Sequence, residues 1–379
     1  MLFAASIIHR SGALIQPFLL VFLTNERGLS VVNAGTVASA WGLGAILSPL
    51  LGGWFADHLG RIPTIMVGMV SSAMAAVVLI FTADFQYLIM IAFATGIAAE
   101  LHQPAAGALS VDTIEPDKRP RVLSLMIWSA NVGTTFAVMA GGYLASVDYA
   151  LLFVINAIVC LIHPALVWRG ARDLPRYQRS VETRTVGYKS ALRDPLLVGI
   201  LFLAAVLGAL VGQVFVGLPL AVDGAGLSEA DYGLIASVCG VVIFFTLPLA
   251  TGRTDKYPRA AVLSLSALLL GVGWGATMFA HTVVQFSLCV IVWTLGEVGL
   301  YSVFGGLVED LAPAAARARY QGLFWLAFGS KGLTAPLLGT RLYEDGGTVL
   351  WWVCAGVGVF AAVGFLLLAP AMKRRIANA

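Results

Sequence analysis

Gly28-Leu29-Ser30, with Gly35, Ala38, Ser39 and Gly42 behind it, returns 198 residues later as Gly226-Leu227-Ser228, Gly233, Ala236, Ser237 and Gly240. The same shift carries Asp57, Arg61, Asp112, Arg119 and Arg121 onto Asp255, Arg259, Asp310, Arg317 and Arg319 without a gap. Apolar coincidences are expected in a greasy chain. Five charges kept in one register are not, and they mark two parallel copies of one unit.

Each copy is built for lipid. Apolar residues make up 59% of the 379 and charged residues 11%, with a mean hydropathy of +0.89, where a soluble domain carries about 25% charged residues. Twelve apolar stretches have roughly the 18–25 residues that span a bilayer as a helix: 3–24, 31–55, 62–82, 85–110, 121–146, 149–169, 195–222, 229–251, 260–280, 283–308, 319–343 and 348–370. Barrel strands would be half as long and would alternate. The expected fold is therefore an all-α membrane protein, with twelve transmembrane helices in two six-helix bundles. The bundles are expected at 1–168 and 195–379, with a cytoplasmic linker at 169–194. The 41 glycines fit close helix contacts in lipid. The first stretch lacks a cleavage site and is long enough to span, so it reads as a retained helix.

Basic residues set the orientation. With the N-terminus inside, 19 of the 23 Lys and Arg fall in cytoplasmic loops, the linker or the tail. Both termini are then cytoplasmic, and the net charge of +3 reflects this bias rather than nucleic-acid binding. Outside the linker the connections are short, leaving no soluble domain to hold an enzyme site. No GxxxxGK[ST] loop occurs: Gly329-Ser330-Lys331-Gly332 lacks the leading glycine and the final Ser/Thr. Cys160, Cys239, Cys289 and Cys354 lie in four different spans with no metal spacing. Neither cofactor nor metal is expected.

Without a nucleotide site, uphill transport must draw on an ion gradient, so charges inside the spans become the candidates. Arg10, Glu100, Glu297 and Lys331 each lie about 12–15 residues into a span, or roughly 18–22 Å into a hydrocarbon core about 30 Å thick. A charge there costs at least about 2.5–3.5 kcal/mol, so each should pair or line a wet cavity. The expected pairs are Arg10 with Glu100 and Glu297 with Lys331. Glu100 and Glu297 are the candidate proton carriers, near-symmetric under the repeat, with permanent salt bridges as the alternative. Gln16, His102, Asn131 and Gln213 join Arg10 and Lys331 as candidate cavity residues or helix-joining groups.

Between the second and third spans stands Gly53-Trp54-Phe55-Ala56-Asp57-His58-Leu59-Gly60-Arg61-Ile62-Pro63. It resembles the GxxxD(R/K)xGR(R/K) loop of the major facilitator superfamily, departing from it at His58 and Ile62. Gly53 would admit a neighbouring helix, Gly60 would permit a tight turn, and Asp57 and Arg61 would set opposite charges at the cytoplasmic rim. Asp112 is the expected partner of Arg61. The repeat predicts Arg259 with Asp310, Asp255 standing where Asp57 does. Such pairs would form and break as a gate. Gly133 to Gly142 is similar to the family's antiporter motif in helix five, with Ala137-Val138 in place of its Gly-Pro.

The resemblance implies one central cavity lined by helices one, four, seven and ten, worked by alternating access. It implies a monomeric transporter of a small molecule in a bacterial inner membrane, with proton-coupled efflux of the multidrug type as the leading form. Uptake of a nutrient or anionic metabolite, and lipid translocation, are the competing functions.

Overall fold

The computed structural model describes residues 10–113, 119–171, 191–313, 317–344 and 347–377. Within these, 107, 108, 110–113, 119–130, 170, 171, 251, 255, 317, 318, 376 and 377 are described by backbone alone. Fifteen α-helices among the described residues, some joined end to end, build twelve helical rods and an all-α membrane protein. Nine rods are long and apolar enough to cross a membrane on the described residues alone. The other three carry the sequence's first, fifth and eleventh apolar stretches.

Two compact units emerge, Met1–Val181 with Leu218–Gly240, and Glu182–Gly217 with Val241–Ala379. In the first, α1 (Ile15–Val21) continues into a π-helical turn at Phe22–Glu26, followed by α2 (Val31–His58) and α3 (Arg61–Phe81). α4 (Phe85–Glu100), α5 (His102–Thr113), α6 (Arg119–Val147) and α7 (Tyr149–Ala171) complete the first six rods. Local chemistry fixes the helix starts. Ser30 caps α2 by accepting from Asn33 N at 3.3 Å, and Asp84 caps α4 by accepting from Gln86 N at 2.9 Å and Tyr87 N at 3.2 Å. Gly60 begins α3 at φ 91°, ψ 168°, a conformation that residues with a Cβ avoid.

Small residues let these rods pack closely. A side chain at Gly44, Gly52 or Gly96 would drive into the backbone of a facing helix. Ile65, Met69 and Ala73 of α3 meet Ala105 and Leu109 of α5 and Ala157, Cys160 and Val167 of α7 in a buried core.

The second unit starts from α8 (Pro195–Val211), capped by Asp194, which accepts from Leu196 N at 3.1 Å. A 3-10 turn at Gly212–Phe215 follows, then α9 (Gly217–Gly224) and α10 (Glu229–Thr251), whose earlier residues belong to the first unit. α11 (Arg259–Ala276), α12 (Val283–Leu311), α13 (Arg317–Gly329), α14 (Lys331–Glu344) and α15 (Val349–Ala377) follow. Trp274 of α11 stacks on Trp293 of α12 at 4.9 Å and on Trp351 of α15 at 6.2 Å. Gly271 and Gly358 bring α11 and α15 into backbone contact.

Four rods are broken where the sequence predicts continuous helices. The first is interrupted between Ser11 and Ile15, the fourth at Leu101, the seventh at Gly212–Val216 and the eleventh at Ser330. Under the 198-residue shift the first and seventh rods break within a few residues of the same place.

Candidate functional site

The breaks place polar side chains. Arg10 stands just before the break in the first rod, Glu100 ends α4, Gln213 lies in the 3-10 turn and Lys331 begins α14. A broken helix frees backbone groups that lipid cannot satisfy, so polar neighbours are needed there.

In the first unit Glu100 is half-buried and accepts a hydrogen bond from Gln103 Nε2, one turn on across the break. The Arg10 guanidinium lies within electrostatic range of both Glu100 and His102. His102 is 5% exposed and turns toward α7, where His163 is also 5% exposed. The two rings meet edge-on at 5.8 Å, and His102 Nδ1 lies 3.0 Å from Ala99 O. Gly68 of α3 makes room, since a Cβ there would sit 3.1 Å from His102 N. His163 is a residue that sequence reasoning misses. The signal that could find it is a histidine beside Pro164, 14 residues into its helix and at much the same depth as Glu100.

In the second unit Glu297 of α12 is 5% exposed and accepts from Tyr301 Oη at 2.7 Å. The Tyr301 ring packs edge-on to Phe328 at 6.1 Å, and Lys331 Nζ sits 4.8 Å from the centre of the same Phe328 ring. Glu297 and Lys331 thus share one aromatic neighbourhood with Tyr301 and Phe328, which Phe324 and Trp325 extend. Acid, cation and rings are thus gathered in one largely buried cluster.

Gln213 is 4% exposed. Its Nε2 donates to Ala209 O at 3.3 Å and Ala335 O at 3.5 Å, so it joins the seventh rod to the eleventh rather than facing open space. Gln16 and Asn131 are half-buried on α1 and α6. Thr135 Oγ1 donates to the Asn131 carbonyl at 2.8 Å. Among the described residues no group of three or more His, Cys, Asp or Glu could hold a metal ion.

At the rims, Arg259 Nη2 meets Asp310 Oδ2 at 2.5 Å, the pairing the repeat predicts. Arg61 Nη1 lies 3.8 Å from Asp57 Oδ1, one turn earlier. The side chains of Asp112 and Asp255 lie outside the described residues. Gly60 makes its turn as expected. Gly53 does not do what the motif suggests: a Cβ there would meet nothing within 4 Å, and the residue pressed against a neighbour is Gly52, facing Leu101 and Pro104. Helix periodicity turns adjacent positions about 100° apart, so only one of the two can face the next rod.

Comparison with known proteins gives this arrangement its family. The family model described as Major Facilitator Superfamily matches residues 1–246 and 214–379. The MFS-type transporter YttB of Bacillus subtilis is 22% identical over 346 residues, covering 90% of this chain and 87% of its own. Multidrug resistance protein MdtH of Aeromonas hydrophila is 26% identical, covering 86% and 84%, and that of Salmonella arizonae 24%, covering 92% and 86%. Among solved structures, the peptide transporter POT in complex with sulfate aligns with a TM-score of 0.81 at 17% identity, over 99% of this chain and 94% of that one. The nucleoside transporter NupG aligns with a TM-score of 0.78 at 15% identity, over 97% and 98%. Duplicated halves, twelve rods and a family match running the length of the chain agree: this protein is a multi-pass membrane transporter, not an enzyme, and it belongs to the Major Facilitator Superfamily.

Proposed function

We propose that this chain is a proton-coupled exporter of small, mainly apolar organic solutes, a monomer in a bacterial inner membrane with both termini in the cytoplasm. Its bundles are 1–168 and 195–379, joined by a cytoplasmic linker at 169–194. The observation that carries the reading is one acid in each unit inside a membrane span and hydrogen-bonded to an uncharged residue, Glu100 within electrostatic range of Arg10 and Glu297 sharing the Tyr301–Phe328 neighbourhood with Lys331. A carboxylate in such surroundings must either hold a proton or lean on a cation. Exchange between those two conditions, as each compartment gains access, is a coupling step. The rim pairs Arg259–Asp310 and Arg61–Asp112 are the gate contacts, and the first is an ion pair in the structure. MdtH, which bears the name multidrug resistance protein, supports export of varied solutes, and the cytoplasmic excess of Lys and Arg supports the orientation.

The test uses purified protein in liposomes with a panel of lipophilic solutes. Glu100→Gln combined with Glu297→Gln is expected to stop flux driven by a pH gradient while leaving solute-for-solute exchange running. Full gradient-driven flux in that double variant would sink proton coupling at these acids, and solute moving inward against its gradient would replace export by uptake.

A further inference from the structure

Two residues one turn ahead of Glu297 carry buried polar atoms that the fold leaves unbonded. Trp293 and Thr294 precede it by four and three residues on the continuous helix α12, a spacing that sets all three on one face about 100° wide. Trp293 is 1% exposed and Thr294 0%. Neither Trp293 Nε1 nor Thr294 Oγ1 has a hydrogen-bond partner among the described residues. The same holds for Trp274 Nε1, whose indole stacks on Trp293 at 4.9 Å with 10° between the rings. On the other side of the carboxylate Tyr301, one turn on, is bonded to it at 2.7 Å.

The unbonded atoms therefore lie to one side of Glu297. In the orientation proposed above, α12 enters from the outer face. Trp274 and Trp351 stand two residues from the outer ends of α11 and α15, and their rings stack at 6.2 Å. Indoles thus lead from the outer end of the second unit to within one turn of the acid. A buried N–H or O–H left unpaired is costly, most of all where bulk water cannot reach. Native proteins satisfy such groups with bound water, each water making about three hydrogen bonds.

We propose that bound water joins Trp274, Trp293 and Thr294 to Glu297, and that this file is the route by which protons reach Glu297 from the outer side. The water next to Glu297 accepts from Trp293 Nε1, shares a hydrogen bond with Thr294 Oγ1 and donates to the carboxylate. A hydronium at the outer end becomes water as O–H bonds exchange along the file, and the carboxylate gains the one proton. Trp293 and Thr294 are positioning residues, because they hold the water and do not take the proton. The inference rests on the proton-coupled reading above and adds to it an entry inside the second unit.

Two arms test the file. The first needs no transport. With water on Thr294 Oγ1, Thr294→Val loses that bond and should lower the unfolding midpoint in detergent, while Thr294→Ser stays near the parent. Were the hydroxyl dry, Thr294→Val would remove an unpaired group and raise the midpoint. The second arm uses proteoliposomes of Glu100→Gln protein under a pH gradient, where the drive rests on Glu297 alone. Adding Thr294→Val and Trp293→Phe, which keeps an aromatic ring against Trp274, should lower gradient-driven flux relative to solute exchange by about tenfold. Adding Thr294→Ser instead should keep the ratio. A midpoint raised or unmoved by Thr294→Val, or a flux ratio unchanged by the paired substitutions, overturns the file. A Glu100→Gln background with no gradient-driven flux sinks coupling at Glu297 and the route with it, while the midpoint arm separately decides the water.

Discussion

Arg259 and Asp310 show how little strength a gate contact needs. Their side chains are 30% and 40% exposed, and exposed pairs typically contribute only about 0.2–1 kcal/mol. A pair that weak breaks at each turnover, whereas a buried one would lock the protein. The double-mutant cycle Arg259→Ala and Asp310→Asn, read by thermal unfolding in detergent, is therefore expected to give a coupling below about 1 kcal/mol. Turnover should drop by more than that figure converts to. A coupling of several kcal/mol would make the pair a structural brace. Glu297 works differently, because it is buried and needs its donors. Tyr301→Phe removes a 2.7 Å hydrogen bond and should cost about 1 kcal/mol. Glu297→Gln keeps an oxygen for the same hydroxyl and should cost less. Unfolding midpoints of the two variants in one detergent check the order.

Among the elements, the loop motif separates three glycines that look alike in sequence. Gly60→Ala would force a side chain into φ 91°, ψ 168° and is expected to cost about 1–3 kcal/mol. Gly52→Ala would press on Leu101 and Pro104 and also destabilise, while Gly53→Ala meets nothing and should gain about 0.5–1 kcal/mol through helix propensity. Thermal unfolding of the three variants tests that order, and a destabilised Gly53→Ala would contradict it. Twelve rods were legible in the chain because apolar length is a coarse signal that survives any local detail. The four breaks were not. Gly12 and Gly212 lie at interruptions, while Gly44 and Gly96 lie inside continuous helices and serve packing; the residue type is the same, and only the facing rod decides its use. The candidate site divides in the same way. Glu100, Glu297 and Lys331 announce themselves as charges in apolar runs. Tyr301 and His163 gain meaning only once helix faces are known, and Gln213 proves to be a link between rods.

At the scale of the whole molecule, the duplication leaves two acids where one would suffice to couple a proton to a solute. If Glu100 and Glu297 each carry one proton per cycle, export of a neutral solute is driven by two protons. One pH unit is worth about 1.36 kcal/mol per proton, a factor of about ten in a concentration ratio. With the membrane potential clamped at zero and a one-unit pH gradient, the limiting solute ratio should reach about a hundredfold for the parent protein and about tenfold for either Glu100→Gln or Glu297→Gln. The double variant should show no accumulation. The two acids stand in unlike settings: Glu100 beside a helix break with Arg10 nearby, Glu297 within a continuous α12 beside Tyr301. The ratio can therefore fall unequally. If Glu100→Gln alone removes all accumulation while Glu297→Gln leaves the parent's limit untouched, the carrier is Glu100 and Glu297 is left as a packing partner of Tyr301. The steady-state ratio distinguishes these outcomes where an initial rate would not, because a slower cycle alters how fast the limit is approached and leaves the limit itself unchanged.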